Sequence, residues 1–442
     1  MTDTKHEKAG VDFKPDFLSI TSQNNTDSEC GKNEYDVDRT NGGSSFYAYF
    51  NVVCLVAGTG MLGLPLALKK GGWASLLMIL LAWWMSCYTA IIIQKCMYKG
   101  KERRLASFKE IATEAFGRIG GYISFFFTTW IYLGTPILYL VLAAQNLNQI
   151  CAGTAGEIGR LPWTIIWCVF DGIVLIFIKS TNNVAWTSAL GMVAIMATIL
   201  ITIVLAGIDA PNQMNTHHDN VIWDGFPIAL ATISFSFSGN VVYPNVEGVM
   251  KNPKHWPITI VGGLSTCAIM YLAIAVCGYY IYGTDVINPV YNSTPDGIAK
   301  TIAILLITVN VIVSAPIFLA SFALDVENML NVTVERWGKT KEFLIRTALR
   351  TAIMVFVGAV GILIPFFDLL MSLIGAFANC GVILILPVLF YYRLTGFRNK
   401  NIILHFWHFL IVLVGLVGLI FGTWTAIEDL INAFGDGYEY EI

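Results

Sequence analysis

Two short stretches of this chain set helix-poor residues inside strongly apolar surroundings. The first is Ala57-Gly58-Thr59-Gly60-Met61-Leu62-Gly63-Leu64-Pro65, and the second is Phe235-Ser236-Phe237-Ser238-Gly239-Asn240-Val241-Val242-Tyr243-Pro244. Glycine, proline and small hydroxyl residues there leave backbone N–H and C=O groups without helical partners. Such groups cannot face hydrocarbon and are tolerated only where they line a polar cavity. A half-helix N-terminus offers partial positive charge and free N–H groups to a carboxylate. Half-helix C-termini and free carbonyls suit an ammonium group or a cation. The chemistry implied is non-covalent recognition of a small zwitterion. The candidate binding residues are Ala57, Gly58, Thr59, Gly60 and Met61 with Ser236, Phe237, Ser238, Gly239 and Asn240. The plainer reading is that the glycines only permit close helix packing, as small-xxx-small patterns do. Two interruptions in corresponding positions favour the binding reading.

An ionisable group at membrane depth is a functional hypothesis by default. Glu247 follows the second stretch directly and could relay protons or gate access, or simply pair with Lys251 four residues on. Asp171 sits mid-run and is expected to face inward in a hydrogen-bonded role; Asp368 is expected at an outer interface. Asp325 and Glu327 close an apolar run, where solvated charge is the default. Among the amides and hydroxyls in apolar runs (Asn51, Asn310, Ser314 and Asn379), most are expected to glue helices together. Tyr132 and Tyr139, seven apart, share one helix face that either lines the cavity or packs. His217 and His218 read as a solvated loop pair. Enzyme chemistry finds no support: no HExxH, no GxSxG and no paired aspartates at ligand spacing. No metal site or cofactor is expected, nor are the charge rings of a channel.

The elements that must position these residues are membrane spans. Of 442 residues 56% are hydrophobic and only 13% charged, too apolar for a chain of this size in water. A lipid bilayer is therefore its solvent, and the net charge of −3 suggests no nucleic-acid partner. A crossing helix needs roughly 20 apolar residues. Eleven candidates follow: 46–68, 73–97, 119–150, 162–178, 184–207, 225–250, 257–282, 297–329, 347–364, 366–392 and 403–427. Lys and Arg concentrate on one side of this threading, leaving only Lys69, Lys70, Arg160 and Lys300 on the other. The N-terminus is thus expected in the cytoplasm and the C-terminus outside or in a lumen. The sequon at Asn292 falls in a loop expected outside, and the one at Asn331 in a loop expected inside. Residues 1–45 read as a disordered cytoplasmic tail, 46–432 as the membrane domain and 433–442 as a short acidic tail. Residues 105–116 form an amphipathic pattern with Ser107 and Glu110 spaced as a capping box. Nine cysteines are scattered without the close spacing of a zinc site, and no disulfide framework is expected. The two interruptions fall in spans 1 and 6, five apart, so the second half of the molecule is expected to be inverted relative to the first.

Phe50-Asn51, Gly58-Thr59-Gly60-Met61-Leu62-Gly63-Leu64-Pro65 and Gly71-Gly72-Trp73 resemble the opening of the amino acid/auxin permease family. Phe226-Pro227-Ile228, Phe235 to Asn240 and Pro244-Asn245-Val246-Glu247-Gly248 resemble its sixth helix. Pro365-Phe366-Phe367, Leu373-Ile374-Gly375 and Leu386-Pro387 fit as well. The resemblance covers about 46–432 and is nearest the branch of vesicular inhibitory and vacuolar amino acid transporters. It implies an all-α polytopic membrane protein with a LeuT-type 5+5 inverted repeat, 11 transmembrane helices, and helices 1 and 6 broken. It implies secondary transport of amino acids by alternating access, with neutral substrates expected, in a vacuolar or vesicular membrane. It also implies coupling to protons or, in one branch, to sodium; an amino-acid sensor on the same fold is a further alternative. Glu247 matches an acid of the nearest branch, while Asn51 and Ser314 lie on helices that adjoin the site in the resembled fold. The sodium-coupled branch carries an asparagine where this chain has Cys54, a poor ligand for a hard cation, so protons are favoured.

Overall fold

A computed structural model of the chain describes residues 39, 42–99, 104–177, 185–213, 216–398 and 400–435, except the side chains of 185–190 and 334. The expected tails, over 1–45 and 433–442, therefore lie almost wholly outside the described residues. Within them the chain is helical, with no strand beyond an isolated bridge between Gly43 and Met250.

The first expected span comes in two pieces. Helix α1 (Ser45–Val56) ends at Ala57, a 3-10 turn occupies Thr59–Gly63, and α2 (Leu64–Gly71) continues at a bend of 43°. Then follow α3 (Ser75–Met97), α4 (Phe108–Ile150), α5 (Arg160–Phe177) and α6 (Ala185–Asp209). The sixth expected span is α7 (Phe226–Ser236) and the six-residue α8 (Tyr243–Gly248), with non-helical chain between them. Next come α9 (Trp256–Tyr282), α10 (Ile298–Met329) and α11 (Val334–Leu363). Helix α12 (Phe367–Ile374) widens into a π segment over Gly375–Ile385 and continues as α13 (Leu386–Thr395). Helix α14 (Ile402–Val417) widens likewise over Gly418–Gly422 before α15 (Thr423–Gly435).

Among the described residues nine helical runs are long and apolar enough to cross a membrane, ten if the bent α1–α2 pair is one span. The protein is thus a multi-pass membrane protein. The shortfall from eleven is the sixth expected span, whose longer piece, α7, has 11 residues against the roughly 20 a crossing needs.

Local chemistry explains where the pieces start and stop. Pro65, Pro227 and Pro244 each sit in a first helical turn, where the missing N–H costs nothing. Ser107 caps α4 by accepting from the Glu110 amide at 3.1 Å. The Glu110 carboxylate accepts from the Ala106 amide at 2.9 Å, so the expected capping box closes one residue early. The amphipathic segment expected at 105–116 is a short helical piece of its own, set off from the rest of α4 by non-helical backbone at Phe116 and Gly117. The break falls at Gly117 (φ 66°), a left-handed conformation glycine adopts at little cost. The segment's apolar face, Leu105, Phe108, Ile111 and Ala115, is buried with Leu386 and Phe390 of α13.

Helix α7 lies at the centre of the molecule, packed by α2, α3, α12 and both π segments. Glycine makes the closest approaches possible: a Cβ at Gly375 would lie 2.1 Å from the Ala231 carbonyl oxygen of α7. Two expectations about charge are corrected here. Glu327 is not solvated: it is 7% exposed and accepts from the Arg350 Nε at 2.8 Å, with Arg350 also donating to the Leu175 carbonyl at 2.7 Å. An arginine this deeply buried needs such partners. His218 is likewise no plain solvated residue, since its Nε2 lies 3.0 Å from the Tyr279 and Tyr280 carbonyl oxygens and its ring stacks on Trp73.

Candidate substrate-binding site

Helix ends leave their last carbonyls without intrahelical donors. Val56 ends α1 and Ser236 ends α7, so two such ends are buried in the core. One side chain meets both. The hydroxyl of Tyr271, fully buried on α9, donates to the Val56 carbonyl at 2.7 Å and to the Ser236 carbonyl at 2.6 Å. A phenol has a single hydrogen, so the two carbonyls share it.

The two interruptions touch at Gly60. A Cβ there would stand 2.8 Å from the Ser236 Cα and 2.9 Å from its Oγ, closer than atoms pack. At Gly58 the same addition meets nothing nearer than the Tyr139 hydroxyl at 3.7 Å. The room beside Gly58 belongs to a cavity of about 40 Å³ between the two interruptions, α4 and α10. That is space for about three waters. Gly58, Thr59 and Gly60 line it from one break and Ser236, Ser238 and Gly239 from the other. Tyr132, Thr135 and Tyr139 of α4 and Phe318 of α10 complete the wall, with the Phe318 ring edge-on to Tyr139 at 6.1 Å. The lining, among the described residues, carries no charged side chain.

The other expected binding residues lie behind this surface. Ala57, Met61 and Phe237 are fully buried in the core. The Asn240 amide turns away, donating to the Ile383 carbonyl of the π segment at 3.2 Å. Ser238 donates to the Asn379 carbonyl oxygen at 3.1 Å, and Ser236 back-bonds to Thr232 at 3.1 Å. The Thr59 hydroxyl is buried beside the Tyr139 hydroxyl, not in hydrogen-bonding geometry with it, and has no other partner among the described residues. Tyr132, Thr135 and Tyr139 supply further hydroxyl-bearing side chains to the lining. Asn51 and Ser314 are half-buried on α1 and α10 and do not line the cavity. Asp171 is 2% exposed on α5, facing inward as expected, and its Oδ1 has no hydrogen-bond partner among the described residues.

Glu247 lies at the far end of α8, fully buried, and its partners are not Lys251. Arg104 holds it from Nε at 2.8 Å and Nη2 at 2.5 Å, and the Tyr98 hydroxyl donates to the other oxygen at 2.5 Å. Arg39 approaches at 3.8 Å and donates to the Glu247 carbonyl at 2.7 Å and to Tyr98 at 3.0 Å. Gly43 pairs with the same region, donating to the Val249 carbonyl at 2.7 Å and accepting from Lys251 at 2.8 Å. The segment entering α1 and the connection entering α4 are thereby both bound to the end of α8.

Sequence reasoning missed Tyr271, Arg39, Arg104 and Tyr98. A tyrosine in the middle of an apolar run signals a hidden partner for its hydroxyl, but nothing local says that the partners are two carbonyls from distant helices. Among the described residues the eight cysteines are free, and no His, Cys, Asp and Glu group could hold a metal ion.

Crossing helices interrupted around a small cavity with no charged side chain among its described lining define a multi-pass membrane protein with a cavity at its breaks. The chain belongs to the transmembrane amino acid transporter protein family, whose model matches residues 41–428. It is 28% identical over 415 residues to the amino acid transporter AVT1I of Arabidopsis thaliana, covering 90% of this chain and 98% of that one. To the vesicular GABA transporter of Caenorhabditis elegans it is 22% identical over 367 residues, 79% of this chain and 72% of that one. The relatives are transporters, not enzymes. Among solved structures it resembles a manganese transporter of Eremococcus coleocola (TM-score 0.57, 12% identity, 90% of each chain). It also resembles a Na+-coupled sialic acid symporter (TM-score 0.51, 14% identity, 89% of this chain and 92% of that one). At such identities these last two likenesses bear on the fold alone.

Proposed function

We propose that this protein is a secondary active transporter of neutral amino acids, working by alternating access and driven by a proton gradient. Its architecture on this reading is eleven spans in a LeuT-type 5+5 inverted repeat, with α1–α2 and α7–α8 as the broken helices 1 and 6. The observation that carries it is the cavity where the two breaks meet. Its lining mixes hydroxyl and apolar side chains and carries no charge among the described residues, so a substrate's carboxylate and ammonium must be met by helix-end backbone and hydroxyl groups, and an ionic side chain would find no counter-charge. The volume is smaller than any amino acid. Binding therefore requires the breaks to separate or the Tyr139–Phe318 pair to swing aside.

On this reading the cluster at Glu247 is the closed cytoplasmic gate. Protonating that carboxylate removes the acceptor that Arg104 and Tyr98 share and loosens Arg39, which would link proton entry to opening. Sodium is disfavoured by Cys54, whose thiol lies 3.6 Å from the Met192 sulfur, a soft contact rather than an oxygen cage. The N-terminus would be cytoplasmic and the C-terminus luminal, in a vacuolar or vesicular membrane. The relative named as vesicular supports that placement.

Uptake into proteoliposomes across an amino acid panel tests the reading. A pH gradient should drive accumulation of neutral amino acids without sodium. Accumulation that needs sodium and ignores pH overturns the coupling, and binding without flux replaces the carrier by a sensor.

A further inference from the structure

Behind α7, on the side away from the substrate cavity, lies a second and larger cavity of about 170 Å³. Its walls come from α3, α7, the first π segment and α14: Met85, Leu230 and Ile383 among them, with Phe237 of the interruption as part of its lining. Its two serines do not make it wet. Ser234 is engaged by the Cys380 thiol at 3.4 Å, and a stable water needs two to four polar partners. Apolar cavities of about 150 Å³ stay dry and take up hydrocarbon guests such as benzene. Leu81 and Leu413, which also line it, are 36% and 43% exposed. They belong to α3 and α14, two of the helices apolar enough to cross a membrane, so the surface they share is bathed in hydrocarbon.

We propose that this cavity takes one acyl chain of a bilayer lipid, entering between Leu81 and Leu413, and that the chain braces the interruption after α7. Phe237 connects the two. It is fully buried, and its ring lies edge-on to Tyr271 at 5.1 Å, the residue whose hydroxyl joins the ends of α1 and α7. A chain against Phe237 limits the room into which that ring and Tyr271 can retreat. The cavity therefore differs from the first in ligand chemistry and in the side from which it fills, and Phe237, which lines only the second, is flanked in the chain by Ser236 and Ser238 of the first. The proposal does not depend on which solute is carried.

Full-length protein in nanodiscs containing phosphatidylcholine with a mid-chain diazirine tests it. On irradiation, label should concentrate on peptides spanning 81–86 and 230–237, above the level on other lipid-facing helices. Ala82→Phe, which fills the cavity from α3, should lower labelling of 230–237 by about tenfold and leave other surfaces unchanged. Leu413→Trp, at the partly exposed rim, should do the same without altering a buried position, and so covers the case in which Ala82→Phe misfolds. Amides of 237–242 should exchange hydrogen several times faster after delipidation in detergent and recover on adding phosphatidylcholine. Label spread evenly over the lipid-facing surface, or unchanged in Leu413→Trp, overturns the site. Exchange insensitive to lipid overturns the bracing.

Discussion

At position 60 the interrupted helices come so close that only a hydrogen fits between them, whereas at position 58 there is room for a methyl group but not for a bulky chain. Gly60→Ala should therefore cost more than Gly58→Ala, because the added carbon meets Ser236 backbone that cannot swing aside. Uptake should fall strongly in Gly60→Ala and stay near wild type in Gly58→Ala. Gly58→Leu should abolish transport with membrane insertion intact, since its side chain would occupy the cavity. Equal uptake by the two alanine variants would refute this geometry. Tyr271→Phe takes the side-chain donor from the buried Ser236 carbonyl and leaves the Val56 carbonyl only the Gly58 amide, a loss of about 1–3 kcal/mol. Thermal unfolding should shift down and transport slow, although the ring still packs. Glu247→Gln keeps the shape of the side chain but strips Arg104 and Arg39 of their counter-charge, a penalty on the order of 3 kcal/mol for a buried partner. Proton-driven uptake should be lost while substrate exchange at zero gradient survives; full proton-driven uptake by this variant would remove Glu247 from coupling. At this scale the glycines were legible, because absence of a side chain is written in the residue type. Tyr271 and the arginines were not, because what matters about them is a partner far away in the chain.

Between elements the structure depends on two π segments that pack on each other and on α7. A π turn exposes backbone groups that a regular helix would satisfy, and such turns are uncommon away from functional regions. Here the widening lets Gly375 approach the Ala231 carbonyl and brings the Ile383 carbonyl within reach of Asn240. Gly375→Ala should push the segment off α7 and lower both stability and uptake. A melting temperature and an uptake rate like wild type would show the contact to be unimportant. The sequence carries no clear mark of this widening: Leu373-Ile374-Gly375 reads as ordinary apolar helix, since π and α geometry share the same residue preferences. Starts and stops were far more legible, because proline, Ser107 and Gly117 each impose a specific backbone requirement. The break in the first span was readable from its glycines, but the 43° bend was not, since an angle depends on what the two pieces pack against.

For the molecule as a whole, apolar run length and the Lys and Arg bias set the expected threading, and ten of the eleven expected runs have crossing-length counterparts in the structure when α1 and α2 count as one. The sixth is too short in either piece because hydropathy adds up side chains and is blind to backbone interruption. The threading has a direct test in the two sequons. In a glycosylating host a mass shift should be found at Asn292 and none at Asn331, and a glycan on Asn331 would invert the topology. The folded state adds a condition. Thr294 of the first sequon is 3% exposed and donates to the Tyr291 carbonyl at 2.7 Å, so any glycan must be attached during synthesis, before that loop closes.

The single hydrogen on Tyr271 carries a consequence of its own. Its two acceptors lie at nearly equal distances, 2.7 and 2.6 Å, and neither commands it. Were the ends of α1 and α7 to move apart, the bond would localise on one carbonyl; Val56 would still accept from the Gly58 amide at 2.7 Å, and Ser236 would have no such second donor among the described residues. The hydroxyl would then be a two-position toggle weighted toward the end of α7, the helix end with more to lose from its departure.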